Sequence, residues 1–326
     1  MTVPAAPVRP TTFFKEIGRN RRNSVLLVIV VIVLLGVLGG AIGYATGFGW
    51  GGVVAAVVIA GLMSIGSYYA GDALVLASSG AQEVDLAKPP EGYRQLVNVV
   101  TEMSLASGLP MPRVHVIPDS APNAFATGRD PKHASVAATT GLLEKLDREE
   151  LQGVMAHEMS HVGNYDIRFT LLVGVLVGAI ALLSDWFLRF TFWGGGRGRS
   201  DNDRGGGGGA AAILMIAALL LAIVAPIIGR MVQLAVSRSR ESLADVSAVD
   251  LTRNPLGLAR ALQRISGDPE VLEVANRATQ HLYIINPIKS FEKRASSLWE
   301  THPPIQERVR NLEIIAGQMG LISGPR

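Results

Sequence analysis

The sequence predicts an α+β, mainly helical chain: a multi-pass membrane protein with four transmembrane helices and a small sheet in a domain outside the bilayer. Three observations predict it. Hydrophobic residues make up 48% of the 326 residues, too many for an ordinary soluble protein of this length. Charge-poor stretches reach the roughly 20 residues that a membrane crossing needs. Between the second and third of them, short alternating runs lead into a helical pattern, which is how a small sheet followed by a helix reads.

Residues 1–23 form a basic flank, in which Arg9, Lys15, Arg19, Arg21 and Arg22 stand against Glu16 alone. An excess of positive charge beside the first span places the N-terminus in the cytoplasm. Residues 24–71 contain no Asp, Glu, Lys or Arg and are long enough for two transmembrane helices, with a Gly-rich break at 46–52. The first apolar core is about 20 residues long, a retained anchor rather than the shorter core of a cleaved signal. Residues 169–190, interrupted by Asp185, form a third helix, and 210–230 a fourth. The Gly-rich tract 191–209 between them is an external loop. Four crossings return the C-terminus to the cytoplasm, so 72–168 and 231–326 are two parts of one cytosolic domain.

Within the first part, residues 89–108 carry apolar positions at helical spacing until Pro110 and Pro112. Residues 113–118 alternate as a strand, 123–128 form an extended segment, and 133–140 are a further β-compatible run. A helix begins near Gly141, and another covers 147–164. The last helix spans 305–319, behind Pro303 and Pro304. The chain has no cysteine, which excludes disulfides, thiolate metal sites and cysteine-protease chemistry and fits a reducing compartment.

The helix over 147–164 holds His157-Glu158-Met159-Ser160-His161. Two imidazoles four residues apart lie on one helical face and can reach a single metal ion. Glu158 is turned about 100° from His157, placed to take a proton from the water that a bound zinc activates. A chance pair of histidines is the bland alternative.

A catalytic zinc usually takes three protein ligands, so the third must come from elsewhere. His115, His133 and His281 read as structural or solvated, and Asp166 lies too near the end of the same helix to bend back. Glu241 and Asp245 share a face at i, i+4. They read either as a solvated charged face, or as a ligand with a carboxylate that takes the free N–H of a histidine. The span count puts this segment on the same side of the membrane as His157 and His161, on the order of 18 Å from the bilayer.

Five ordered motifs add to this: Asn123-Ala-Phe-Ala-Thr-Gly128, Thr140-Gly-Leu-Leu143, the pentapeptide with Val162, Gly163, Asn164 and Asp166, Ser237-Arg-Ser-Arg-Glu-Ser-Leu-Ala-Asp245, and Thr301-His-Pro-Pro304. In these the chain resembles the HtpX family of membrane-bound bacterial zinc metallopeptidases, relatives of the CAAX prenyl protease. The departures are the Gly-rich loop and Thr139-Thr140, where the family often has Ser-Thr.

The resemblance implies a cytosolic zincin (gluzincin-like) domain holding one zinc ion per chain through His157, His161 and Glu241, with Asp245 supporting and Glu158 catalytic. It implies that Asn123, Ala124 and Phe125 border the substrate cleft. His302 belongs near the centre, where it either polarises the scissile carbonyl or merely flanks the last helix. The implied activity is endoproteolysis of misfolded or damaged membrane proteins as quality control under stress. The implied location is a bacterial plasma membrane, with both termini and the active site cytoplasmic. The alternative is an inactive membrane scaffold or chaperone with a vestigial zinc site. Apart from Asp185, and Arg189 and Arg230 at the ends of their spans, the spans lack the ionisable residues of a transporter path. The net charge of +3 forms no basic stripe with interleaved aromatics, which argues against nucleic acid and for a lipid-bilayer surface as partner.

Overall fold

A computed structural model describes residues 50–172, 238–270 and 303–322, together with isolated positions within 18–36, 216–224 and 272–284. Apart from those isolated positions, the expected first and fourth transmembrane helices, nearly all of the third, and the Gly-rich loop lie outside the described residues. So do His281 and His302.

Helix α1 (Trp50–Ser78) contains the stretch Val53–Ser78, long and apolar enough to cross a membrane. Sequence reasoning ends this span at Gly71 because Asp72 is the first charge. The helix nonetheless runs on, since Asp72 finds Arg113 at 2.7 Å, and the chain turns only at Gly80, whose φ of 63° is left-handed. Ser64, Ser67, Gly71, Asp72, Val75, Leu76 and Ser79 are buried, with three to four residues from turn to turn, so one stripe of the helix is covered while Val58, Leu62, Ile65 and Leu74 stay exposed.

A four-stranded sheet follows, in the order β1-β2-β4-β3. Its strands are β1 (Gln82–Glu83), β2 (Arg113–Ile117), β3 (Ala124–Gly128) and β4 (Ala134–Thr139). β2 and β4 are parallel, β3 and β4 antiparallel, with Ala124 opposite Ala138 and Gly128 opposite Ala134. β1 was not anticipated, because two residues are too short to display an alternation. Side chains divide the sheet as the pleat requires. Val114, Val116, Ala124, Ala126, Val136 and Ala138 join the main core, while Ile117, Phe125 and Ala137 pack with Val75 and Leu76 at the end of α1.

Helix α2 (Arg94–Ser107) covers the main-core face with Leu96, Val97, Val100 and Met103 and stops at Gly108, which is left-handed. After the short α3 (Thr140–Lys145) comes α4 (Arg148–Gly163), opened by a capping box. Asp147 accepts from the Glu150 backbone at 2.9 Å, and Glu150 accepts from the Asp147 backbone at 3.0 Å. This helix is buried nearly all round, by α2, the sheet, α5 (Arg238–Thr252) and α6 (Pro255–Gly267), with α7 (Ile305–Gln318) closing over α5 and α6. α6 has no counterpart among the expected elements, although Asn254-Pro255 is a regular helix start and the Asn254 side chain accepts from Gly257 N.

The contact between α4 and α6 is made by two glycines. A Cβ on Gly153 would come within 2.7 Å of Leu258 N, and one on Gly257 within 2.8 Å of the Glu149 carbonyl. Both obstacles are backbone, so a side chain must push the helices apart. Gly153→Ala is therefore expected to destabilise the domain by about 1–3 kcal/mol, read as a lower thermal midpoint. Gly267→Ala, which meets nothing within 4 Å, should leave that midpoint in place; equal loss in both variants would refute the close-packing account.

Candidate metal centre

Because α4 lies in the interior, the polar residues of its pentapeptide are buried. His157 is 1% exposed and Glu158 2%, and the His161 side chain is half-buried. An uncharged helix would satisfy itself there. These side chains need partners, which three other segments provide.

The first is the turn behind α4. Asn164 ends the helix, and Tyr165 takes a left-handed φ of 61°, unusual for a bulky residue. That reversal folds Asp166 back, and its Oδ2 lies 3.0 Å from His161 Nδ1. The expectation that Asp166 cannot bend back is corrected here. It stays outside the group of possible metal donors, yet it holds the ring of one donor.

The second segment is the start of α5. Glu241 reaches both histidines, with Oε2 3.6 Å from His157 Nε2 and Oε1 3.7 Å from His161 Nε2. Asp245, one turn on, stands 3.0 Å from His157 Nδ1. Each imidazole thus turns Nδ1 to an aspartate and Nε2 inward, the tautomeric arrangement that a metal-ligating histidine needs.

The third is α7. Arg308 makes a forked contact with Asp245, Nε to Oδ2 at 3.0 Å and Nη2 to Oδ1 at 2.7 Å, and its Nη1 lies 3.2 Å from Glu241 Oε2. Sequence reasoning missed Arg308, although a signal was present. Arg308, Val309, Leu312 and Ala316 form the buried stripe of α7, so a permanent cation sits on an apolar face.

Donor atoms of His157, His161 and Glu241 all lie within 4.8 Å of one another. The two Nε2 atoms face each other at 3.2 Å. A tetrahedral zinc with bonds of about 2.0–2.1 Å has ligand-to-ligand edges of about 3.3 Å, so the donors already stand near the right separations. Charge agrees. Four buried carboxylates (Glu158, Asp166, Glu241, Asp245) meet two buried guanidiniums (Arg240, Arg308), which leaves two negative charges for a divalent cation to neutralise. Without a metal, protons take that role. Burial and the Arg308 charge act to lower the His157 pKa, but Asp245 and Glu241 outweigh them and push it up to about 9. His161 is likewise raised: burial opposes the shift, and Asp166 and Glu241 prevail. Burial raises the Glu158 carboxyl above the ordinary range, against the lowering influence of both histidines.

Of the expected cleft residues, Asn123 is buried and its side chain accepts from Ala124 N at 3.0 Å, while Ala124 O accepts from Ile284 N at 3.0 Å. The Phe125 side chain faces away from α4, edge-on to Tyr283 with ring centres 5.2 Å apart. Only its backbone can border a cleft on the α4 side.

A family model described as Peptidase family M48 matches residues 90–316. A relative described as "Protease HtpX homolog" from Ligilactobacillus salivarius is 42% identical over 302 residues, covering 92% of this chain and 99% of that protein. One of the same description from Listeria monocytogenes serotype 4a is 42% identical over 306 residues, with the same coverage. Among solved structures, the crystal structure of S. mikatae Ste24p overlaps 78% of this chain and 57% of its own, with a TM-score of 0.45 and 16% identity. A family model over most of the chain and relatives 42% identical along nearly their whole length agree with this centre: the chain belongs to peptidase family M48 and is a membrane metalloprotease.

Proposed function

We propose that the chain is a zinc endopeptidase of a bacterial plasma membrane that cuts misfolded or damaged membrane proteins. In this reading it crosses the membrane four times, with both termini and the metal centre cytoplasmic. The observation that carries the reading is the buried meeting of His157, His161 and Glu241, whose separations suit one zinc ion. Such an ion supplies Lewis-acid polarisation of a peptide carbonyl and acidifies water.

The protein's own groups do the rest. Glu158, with its carboxyl raised by burial, accepts a proton from the attacking water and returns it to the leaving amine, a cycle that needs a pKa nearer neutrality than an exposed carboxylate has. Asp245 and Asp166 fix the two rings through Nδ1, and Arg308 fixes Asp245. Substrate entry is assigned to β3, the strand at the sheet edge nearest α4. Ile284 N already takes Ala124 O on that edge, so the substrate is assigned the stretch beyond it, where by the alternation of an antiparallel pair Ala126 turns its backbone groups the same way. An extended substrate would add as a further strand there, read through its backbone rather than through one side-chain pocket, which suits substrates defined by being unfolded. His302 is proposed to polarise the scissile carbonyl.

Glu158→Gln should retain zinc and lose about 10²–10⁴-fold in cleavage of an unfolded test protein; a purified variant that still cuts removes the assignment. Glu241→Ala should lose the metal by elemental analysis. Asp245→Ala should keep it with about 10–100-fold weaker affinity. His302→Ala should lower kcat with metal content intact, and an unchanged kcat would reduce it to a flanking residue.

Zinc affinity should depend on pH. His157 in the metal-free protein stays protonated up to about 9, and the metal needs the neutral ring, so affinity should fall as pH drops below that value, by up to about tenfold per unit. The metal-free fold responds in the opposite sense. Stability drawn from the raised His157 pKa is fully present below the unfolded value of 6.5 and is lost as pH rises through about 9. Metal titrations and thermal midpoints across that window check both signs.

A further inference from the structure

Aromatic residues mark both ends of the apolar part of α1. Trp50 is 84% exposed at its start, and Tyr68 and Tyr69 pack edge to face with ring centres 5.0 Å apart near its far end. Tyr69 stands nineteen positions after Trp50, about 29 Å along a helix, which matches the roughly 30 Å of a hydrocarbon core flanked by its interfacial aromatics. Beyond Tyr69 the helix behaves as part of a water-facing domain: Asp72 pairs with Arg113, and Val75 and Leu76 pack on the sheet.

Two arginines from other segments meet the helix at that boundary. Arg129, just past β3, stacks on Tyr69 at 5.3 Å. Arg168, one residue ahead of the apolar run that begins at Phe169, stacks on Tyr68 at 5.7 Å and on Tyr165 at 5.0 Å. Arg168 Nε also donates to the Arg129 carbonyl, which ties the two together. A guanidinium held over a ring by cation–π attraction has five N–H donors, of which Arg168 spends Nε on Arg129, and the others serve further acceptors. Among the described residues no carboxylate pairs with Arg168. The one beside Arg129, Asp130, is 3.9 Å away and already accepts from Lys132 N, His133 N and the His133 ring. Lys132 and His133 add further positive or titratable charge on the same turn.

We propose that Arg129 and Arg168, seated on Tyr69 and Tyr68, bind the phosphate of an anionic phospholipid in the leaflet facing the metal centre. A fork of donors at headgroup height suits a phosphate oxygen, and the exposed apolar face of α1 beside it suits the acyl chains. The inference rests on the membrane placement of α1 and is independent of the metal.

The test uses full-length protein carrying Glu158→Gln, to prevent self-cleavage, in detergent. Phosphatidylglycerol and phosphatidylcholine with the same acyl chains are titrated in, and bound lipid is counted by native mass spectrometry. The expected result is a preference for phosphatidylglycerol that weakens about fivefold with each of Arg129→Gln and Arg168→Gln, while phosphatidylcholine binding stays constant. Arg148→Gln, an equal change of charge beside Glu102, should leave the preference intact. Undiminished preference in the double variant, or equal loss in the Arg148 control, overturns the site. Inorganic phosphate that displaces the lipid at equal concentration would make it a free-anion site instead, which also overturns the proposal. Binding of neither lipid would remove the membrane placement of α1 itself. Should the double variant fail to fold, Arg129→Gln alone carries the test.

Discussion

A helix that buries two histidines and a glutamate on its own surface imposes the constraint from which the rest of this domain follows. Ionisable groups taken out of water must meet partners or lose their charge. In α4 the partners are collected from separate places: Asp166 from the turn behind it, Glu241 and Asp245 from α5, and Arg308 from α7. The hydrophobic core then serves to hold those segments in register. The glycine contact between α4 and α6, and the capping box with Glu150 buried and 3.1 Å from Arg264, fix the helix against rotation. Rotation of even one residue would carry His157 away from both carboxylates.

Much of this was legible in the residues, because the signals were local. The amphipathic spacing of α2 ended at Gly108, and the alternation of β2 between Arg113 and Ile117 was visible directly. The start of α4 at Asp147 was placed as well, and the capping box of Asp147 and Glu150 explains it. The histidine pair was readable for the same reason, since helical geometry alone brings positions four apart together. Glu241 was not readable in that way. Spacing favoured a solvated charged face, and only the ordered motifs singled it out.

What escaped has physical causes. β1 is too short to show a period. Asp166 depends on a left-handed residue that is a tyrosine, where glycine or asparagine would have advertised the turn. Arg308 required weighing a charge against the apolar stripe around it. Phe125 was assigned to the cleft border by the family resemblance alone; the pleat sends alternate side chains to opposite faces, and its own goes toward Tyr283, which leaves its backbone for that border.

The clamp from α7 also orders events in time. During synthesis the histidines emerge first, the carboxylates of α5 some eighty residues later, and Arg308 more than sixty residues after those. A nascent chain therefore carries a pair of ligands without the third, and then a third without the guanidinium that balances its charge. Assembly of the complete set of contacts around the centre therefore waits on the most distant segment, and the last turn of synthesis rather than the first decides when the centre is whole.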